Sequence, residues 1–385
     1  MAGCNFPLRH ELPTPTVEGA TRTPFLPLTP SPEPQDTLEP SETPDARTYF
    51  EKYVYPALYT VAEERREEKA QEDPDFWHRV DRELNTNRVN FVILGLGSEG
   101  LLTDSMQVLS LDITKGEIRV IAVPRGVSAP EVSRYEGVVS THMANQAHIH
   151  GGMPLTERML EDATGLSCDF AMLVDMEFLS RAVENVFGNG LEVCIPWEID
   201  DVNMGYFPAG LQTLNGDEIL AVSRARYYGT YFNRDSVQQF VLKAMLRRAR
   251  TEFTSGTLNA ASFLTNALIF FEREQREGSM ETNFNPSLIF NLAGQLVREI
   301  ATGGAGGEAS GFGMPVFCAR YEFSTENNWD SDNTTRRRPI GGNPDANDLV
   351  ADYWFSSRSE VKDFLGGVIS GTGFEQESEI CGLSE

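Results

Sequence analysis

The sequence predicts an α/β protein in which a mixed central β-sheet is flanked by helices. Short β-branched runs alternate with amphipathic helical stretches through the middle of the chain. Two of these runs are joined by a short turn, which favours an antiparallel pair within the sheet. Proline-rich sequence precedes this region, and polar, glycine-rich sequence follows it. We therefore expect a disordered N-terminal tether and a helical or irregular C-terminal extension.

The composition narrows the possible functions. The 385 residues are 40% hydrophobic, enough for a sizeable core and one main domain with additions. The 57 acidic residues against 32 basic ones give a net charge of −25. Such a surface repels phosphate backbones and anionic lipids, so we expect no nucleic-acid partner. We also expect no membrane-spanning segment, because no apolar run approaches about 18 residues.

Four parts are expected along the chain. Residues 1–44 are rich in Pro and Thr and are predicted to form the disordered tether. Residues 45–86 are predicted to be helical, with a break at Asp73-Pro74 because a residue before proline avoids helical backbone. Residues 87–250 are predicted to form the α/β domain, and residues 251–385 the C-terminal extension.

The first strands of the domain surround a glycine-rich stretch, GLGSEG, at residues 95–100. This spelling matches a dinucleotide-binding loop, which follows a strand and begins a helix. A strand precedes it at Phe91–Leu94, but Met106–Leu111 and Ile118–Val123 follow as two further strands around a Lys115-Gly116 turn. We therefore expect no dinucleotide site.

Helices and strands alternate beyond this hairpin. The predicted helices cover Leu155–Ala163, Phe178–Val186, Gly216–Ser223 and Asp235–Arg250, and the predicted strands cover Asp169–Val174 and Leu191–Ile195. In the C-terminal extension, the predicted helices cover Leu258–Arg276, Pro286–Ile300 and Val361–Leu365.

The five cysteines contain no C-x-x-C pair and predict neither a zinc ribbon nor a dense disulfide framework. Cys168 and Cys194 lie in apolar stretches and are predicted to be buried thiols. Cys4 follows Ala2-Gly3, which looks like the end of a bacterial lipobox. Either Cys4 is a lipidated anchor, or this is an ordinary amino terminus.

Four arginines stand at the ends of predicted elements: Arg125, Arg224, Arg226 and Arg234. Arg224 and Arg226 are two apart and face the same way if the backbone there is extended. Guanidinium groups suit phosphate oxygens because they stay charged and donate hydrogen bonds in pairs. The arginines therefore predict one local anion site, the alternative being that each pairs with a surface carboxylate.

The run from Asn90 to Arg250 resembles the LytR-CpsA-Psr family, also called the cell envelope-related transcriptional attenuator domain. The resemblance covers about 160 residues and lies in segments that occur in the family's order. These segments are LTDSM, VPRG, MANQAHIHGG, CDFAMLVD, AGLQTLNGDEILAVSRAR and FNRDSVQQFVLKAM. AGLQTLNGDEILAVSRAR is the most specific of them.

The resemblance implies an extracytoplasmic protein of the bacterial cell envelope. Family members move a glycopolymer from a polyprenyl-pyrophosphate carrier to peptidoglycan, with Mg²⁺. Asp104 would ligate Mg²⁺ or activate the acceptor hydroxyl, Arg125 would take part in catalysis, and Glu99 could complete the metal site. The implied pyrophosphate-binding residues are Arg125, Arg224, Arg226, Arg234 and Gln238. An apolar groove for the prenyl chain would be lined by residues 155–187 and 237–246.

Four positions depart from the family's pattern. Gly97 and Gly126 stand where Asp is usual, Met143 where Lys is usual, and Val237 where Arg is common. A second hypothesis is therefore a non-catalytic relative that binds the prenyl phosphate or wall polymer.

Three histidines raise a third hypothesis, a metal-dependent hydrolase. His148 and His150 form an H-x-H pair near His142, and on a strand both rings of the pair would share one face. The alternative is that histidine rings replace aromatic rings of the family at these positions.

Overall fold

The computed structural model describes residues 50–123, 125, 144–188, 190–195, 197–225, 231–285, 288, 291, 294, 316–321, 354–355, 358–367 and 381. All of these described residues belong to one compact unit. The predicted tether, Cys4 and most of the predicted helix at 286–300 lie outside the described residues, and the division into four parts stays a prediction.

Among the described residues, seven strands form a mixed sheet at the centre of this unit, in the order β11-β10-β3-β2-β1-β4-β9. β1 pairs antiparallel with β2 and parallel with β4, which gives the sheet its mixed character. Two short antiparallel pairs, β5 with β8 and β6 with β7, stand apart from it. The strands are β1 (Arg88–Leu96), β2 (Thr103–Asp112), β3 (Glu117–Ala122), β4 (Phe170–Val174), β5 (Leu191–Ile195), β6 (Ile199–Asp201), β7 (Gly205–Phe207), β8 (Gly210–Leu214), β9 (Met280–Thr282), β10 (Val316–Tyr321) and β11 (Trp354–Phe355).

Helices flank the sheet. They are α1 (Tyr55–Glu72), α2 (Phe76–Arg79), α3 (Arg82–Asn85), α4 (Ala147–Thr164), α5 (Phe178–Ala182), α6 (Gly216–Arg224), α7 (Tyr231–Thr254), α8 (Thr257–Glu277) and α9 (Arg358–Gly366). π-helical turns precede α1 at Phe50–Val54 and follow α5 at Val183–Phe187. α1 ends at Glu72, and the predicted break at Asp73-Pro74 is confirmed.

Alternation along β1 divides its side chains between the two faces of the sheet. Val92 and Leu94 pack with α4 and α9 on one face. Val89, together with the half-buried Phe91 and Ile93, packs with α1 and part of α7 on the other. Burial of both faces stabilises the sheet, because each large aliphatic side chain removed from water contributes on the order of 2 kcal/mol.

Arg66 of α1 anchors this helix to the sheet through buried hydrogen bonds. Its Nη2 lies 2.6 Å from Oδ2 of Asp169, and its Nε donates to Oδ1 of the same carboxylate at 2.8 Å. The Arg66 side chain is 2% exposed and that of Asp169 is fully buried. Removal of Arg66 would leave the buried Asp169 carboxylate without this ion pair, which costs about 3–5 kcal/mol.

A second core lies beside the sheet, built from β5, β8, α6, α7 and the π-helical turn at Val183–Phe187. Cys194, which is fully buried in this core, forms a disulfide with Cys381, 187 residues further along the chain. The prediction that Cys194 is a free thiol is therefore wrong. Cys168 is confirmed as a buried thiol, and burial raises its pKa well above the ordinary value.

The predicted fold class is confirmed: a mixed sheet is flanked by helices. GLGSEG lies between strands and begins no helix, as predicted, and the structure pairs these two strands, β1 and β2, antiparallel. The sequence patterns missed β6 to β11. β6, β7, β9 and β11 have only two or three residues each, too few for a period to show. Within the described ranges, no helix combines the length and the apolar character needed to cross a bilayer.

Candidate functional site

Asp104 lies at an irregularity between β1 and β2. The register pairs Gly95 with Ser105 but Leu96 with Thr103, so Asp104 is the extra residue of a β-bulge. The turn between the strands is closed by the Gly97 amide, which donates to the Leu102 carbonyl at 2.8 Å. The bulge turns Asp104 towards a cavity beside the sheet, and its side chain is 27% exposed.

Two of the predicted arginines converge on the Asp104 carboxylate. Arg125 approaches from the end of β3, with Nη1 3.0 Å from Oδ1. Arg234 approaches from the first turn of α7, with Nη1 3.8 Å from Oδ2. Nη2 of Arg234 also donates to the Asp104 backbone carbonyl at 2.6 Å. Asp104, which lines the cavity, therefore brings two guanidinium groups together.

Arg234 is nearly enclosed, because its side chain is only 5% exposed. Its Nε is buried without a hydrogen-bond acceptor among the described residues, although Oδ1 of Asp235 lies 3.9 Å away. Burial of an unsatisfied donor costs free energy, and an anionic ligand oxygen would offset that cost.

Gln238 lies one turn after Arg234 and also lines the cavity. Its Oε1 accepts from the Ser105 hydroxyl at 2.8 Å, and its Nε2 donates to the Ser223 carbonyl at 3.1 Å. The amide thus joins β2, α6 and α7. The contact between Gln238 and the ligand stays a prediction. In the structure, Gln238 fixes the relative positions of these three elements.

Arg224 reaches the same cavity from the last residue of α6. This helix begins with a capping box, in which the side chains of Asn215 and Glu218 bond each other's backbone amides. Arg224 is therefore helical, not extended as its pairing with Arg226 assumed. Arg226 lies outside the described residues.

The cavity has a volume of about 420 Å³, within the range of small-molecule sites. Its polar part contains Asp104, Ser105, Ser223, Arg224, Arg234 and Gln238, and the polar residues Ser98, Gln107, Asp175, Asp201 and Asn203 also line the cavity. The rest of the wall is mainly apolar and includes Ile93, Met172, Val174, Phe178, Leu179, Met204, Leu220, Val241, Leu242 and Met245. Only part of the predicted groove forms. Residues of α5 and α7 line the cavity, whereas α4, which spans much of the stretch 155–187, packs against the opposite face of the sheet.

One face of α7 links the two parts of this cavity. Arg234, Gln238, Val241 and Met245 follow one another at helical spacing and all line it. Eleven residues at 1.5 Å each place Met245 about 16 Å along the axis from Arg234. The helix therefore presents a guanidinium group at one end of the cavity and apolar side chains further along.

The donor groups at Asp104 fit a magnesium ion poorly. Mg²⁺ prefers several oxygen ligands, usually with more than one carboxylate nearby. Oδ1 of Asp104 is paired with Arg125, and Oδ2 faces Arg234. Glu99 lies on the exposed tip of the turn, whereas Ser98 and Asp104 line the cavity. Among the described side chains, no three His, Cys, Asp or Glu form a metal-binding group.

The histidine pair does not have the geometry that the hydrolase hypothesis assumed. His148 and His150 lie in the first turn of α4, not on a strand. Residues two apart on a helix are about 200° apart around its axis, so the two rings do not share a face. Burial lowers the pKa of His148, despite the opposing charge of Glu281. His142 lies outside the described residues.

Comparisons with known proteins identify relatives of this chain. It is 28% identical over 173 residues to TagV of Bacillus subtilis (strain 168), named polyisoprenyl-teichoic acid–peptidoglycan teichoic acid transferase, and this match covers 41% of this chain and 43% of the relative. An uncharacterised protein of Staphylococcus aureus (strain NCTC 8325 / PS 47) is 27% identical over 163 residues, 40% of this chain and 38% of the relative. The chain thus spans about two fifths of the length of these curated relatives.

A crystal structure of Bacillus subtilis TagV superposes with a TM-score of 0.49 at 18% identity, covering 78% of this chain and 99% of that one. The LytR_cpsA_psr family profile matches residues 52–266, more than half of the sequence. This match extends the resemblance seen in the sequence to α1 on one side and to part of α8 on the other. The chain therefore belongs to the LytR-CpsA-Psr family.

Proposed function

We propose that this protein transfers a glycopolymer from a polyprenyl-pyrophosphate carrier to a peptidoglycan hydroxyl. Membership of the family supports the proposal, as does the name of the TagV relative. The observation that carries it is the face of α7 that runs from Arg234 to Met245. A carrier of this class has the matching shape, with a diphosphate at one end and an apolar chain at the other.

The polar part of the cavity suits the diphosphate. Arg224 and Arg234 line the cavity, and Arg125 pairs with the cavity-lining Asp104, so that three permanent positive charges serve this region. Phosphoryl transfer depends mainly on positioned positive charge at the transferring group. The low exposure of Arg234 strengthens its interaction with a phosphate oxygen, because little water screens it.

The proposed reaction exchanges one phosphorus–oxygen bond for another. The acceptor hydroxyl oxygen bonds to the phosphorus that carries the glycan, and the bond from that phosphorus to the bridging oxygen breaks. Prenyl phosphate leaves with that oxygen. Asp104 lies in the polar part of the cavity and accepts the hydroxyl proton, while the arginines stabilise the charge on the phosphate oxygens.

A non-catalytic binder is the second candidate, and the surroundings of Asp104 favour it specifically. The carboxylate that would accept the proton is held by Arg125 and faces Arg234, and Gly97 supplies no second carboxylate. In that case the cavity would hold the carrier without transferring its glycan.

A transfer assay distinguishes the two candidates. The purified protein is incubated with a prenyl-pyrophosphate-linked saccharide and peptidoglycan fragments, and released prenyl phosphate and glycan-bearing fragments are measured. Asp104→Asn should reduce transfer by about a hundredfold or more, the scale of general-base catalysis. Carrier binding should change much less, because the asparagine retains the size of the side chain.

The matched control for this assay is Arg248→Ala. Arg248 lies on the same helix, is 43% exposed and pairs with Glu252 on the surface. This variant should transfer at the wild-type rate. Carrier binding without any glycan transfer by the wild-type protein would favour the binder, and absence of both would reject the proposed function.

An extracytoplasmic location is part of the proposal, and the Cys194–Cys381 disulfide supports it, because disulfides persist mainly in oxidising compartments. A lipid anchor at Cys4 would keep the protein beside its membrane-bound carrier. Mass spectrometry of the protein from its native membrane tests the anchor: a diacylglyceryl group on Cys4 supports it, and an unmodified Cys4 rejects it.

A further inference from the structure

We infer that the diphosphate site works without a protein-bound divalent cation, because the Arg125–Asp104–Arg234 cluster occupies the position where a metal ion would be held. The inference rests on the proposed function, since it concerns the same site and the same class of ligand. It departs from the magnesium dependence that membership of the family implies.

The first support is the arrangement of charge around Asp104. A carboxylate that binds Mg²⁺ turns its oxygens towards the ion, at about 2.0–2.1 Å. Here Oδ1 lies 3.0 Å from a nitrogen of Arg125, and Oδ2 lies 3.8 Å from a nitrogen of Arg234. A dication between these groups would be repelled by both guanidinium charges, so the arginines and the metal ion are alternatives.

The second support comes from Gly97, which lies directly beside the carboxylate. A Cβ atom built on Gly97 would lie 3.1 Å from Oδ2 of Asp104. An aspartate at position 97 would thus place a second carboxylate next to the first and form the acidic pair that a divalent cation requires. With glycine there, the cluster has one negative charge and two positive charges, a net charge that already favours a diphosphate.

The third support is the way Arg234 is held. Its hydrogen bond to the Asp104 carbonyl and its burial fix the guanidinium in place before any ligand binds. A pre-positioned charge costs no reorganisation when the ligand arrives, which is the advantage that a bound metal ion otherwise provides.

Manganese binding to the full-length protein tests the inference directly. Mn²⁺ replaces Mg²⁺ at oxygen-rich sites and gives an EPR signal that weakens when the ion is bound. The wild-type protein should leave the free Mn²⁺ signal unchanged. Gly97→Asp should bind one Mn²⁺ per chain, and Gly97→Asn, of nearly the same size but uncharged, should behave like the wild type. Thermal unfolding of each variant checks that it is folded.

Ligand binding provides the second measurement, with geranyl pyrophosphate as a soluble probe. The wild-type affinity should be the same, within about twofold, in EDTA and in Mg²⁺. Gly97→Asp should bind the probe about tenfold or more tightly with Mg²⁺ than without it, because a metal ion must then offset the added negative charge.

One bound Mn²⁺ per wild-type chain that is lost in Asp104→Asn would overturn the inference. So would wild-type binding of the probe that disappears in EDTA. The manganese experiment needs no prenyl ligand and decides the inference by itself. Failure of geranyl pyrophosphate to bind under any condition would count against the proposed function alone.

Discussion

Nη2 of Arg234 donates a 2.6 Å hydrogen bond to the backbone carbonyl of Asp104, across 130 residues of sequence. This bond joins the first turn of α7 to the bulge at the start of β2. It places a buried guanidinium beside a carboxylate at the polar end of an apolar cavity. The proposed carrier site depends on this contact, because it sets where the polar part of the ligand lies relative to the helix face that follows.

Arg234→Lys should weaken binding of a prenyl pyrophosphate by about tenfold or more, as measured by isothermal titration calorimetry. Lysine keeps the charge but loses the planar set of donors that reaches the Asp104 carbonyl and a phosphate oxygen together. Arg248→Ala, on the exposed side of the same helix, is the control and should bind normally. Normal binding by Arg234→Lys would show that the guanidinium geometry is unimportant.

Met245→Gln should separate the two parts of the ligand. Met245 lines the apolar part of the cavity, about 16 Å along the helix axis from Arg234. A polar side chain there should reduce affinity for a prenyl pyrophosphate about tenfold, while inorganic pyrophosphate, which has no apolar chain, should bind as before. The same change at Leu258, which is 83% exposed, serves as the control. Equal loss for both ligands would place the prenyl chain elsewhere.

Cys381→Ser should lower the free energy of unfolding by several kcal/mol. The disulfide closes a loop with a sequence separation of 187 residues, for which the chain-entropy model gives about 5 kcal/mol as an upper estimate. Urea denaturation with and without a reductant measures the effect. The reductant should destabilise the wild type but not Cys381→Ser. Equal stability of the reduced and oxidised wild type would contradict the prediction.

Asp112 should make the protein sensitive to acid. Burial opposes ionisation of its carboxyl, but the hydrogen bond from Thr114 and the charge of Arg88 outweigh burial and lower its pKa below the ordinary value. A lowered pKa means that the ionised carboxyl stabilises the folded state above the unfolded pKa of about 4. That stabilisation is lost as the pH falls through the folded-state pKa.

Asp112→Asn should therefore be less stable than the wild type at pH 7, and the difference should shrink as the pH falls below about 4. Free energies of unfolding in urea from pH 7 to pH 3 provide the comparison. Asp200→Asn, at an exposed position in β6, should follow the wild-type curve. If the free energies of unfolding of Asp112→Asn and the wild type differed by the same amount at every pH, ionisation of Asp112 would not be the cause of the acid sensitivity.

Much of the fold is encoded locally and was predicted. The β2–β3 hairpin and the break after α1 follow from alternation, turn residues and proline geometry, which act over a few residues. The sequence also predicted one anion site from Arg125, Arg224, Arg226 and Arg234, with pairing to surface carboxylates as the alternative, and that site stays a prediction. In the structure, Arg125 and Arg234 meet at Asp104. Arg224 lines the cavity that Asp104 and Arg234 also line.

The sequence by itself determined the α/β class, the family and the types of residue available to the site, because these depend on local patterns and motif order. Only the tertiary structure decided that Arg234 meets Asp104, that Gly97 lies beside that carboxylate, and that Cys194 pairs with Cys381. Each is a contact between side chains or backbone atoms brought together by the sheet, a bulge or helix packing. Periodicity carries no information about such distances, so contacts that set the chemistry of the site appear only once the chain is folded.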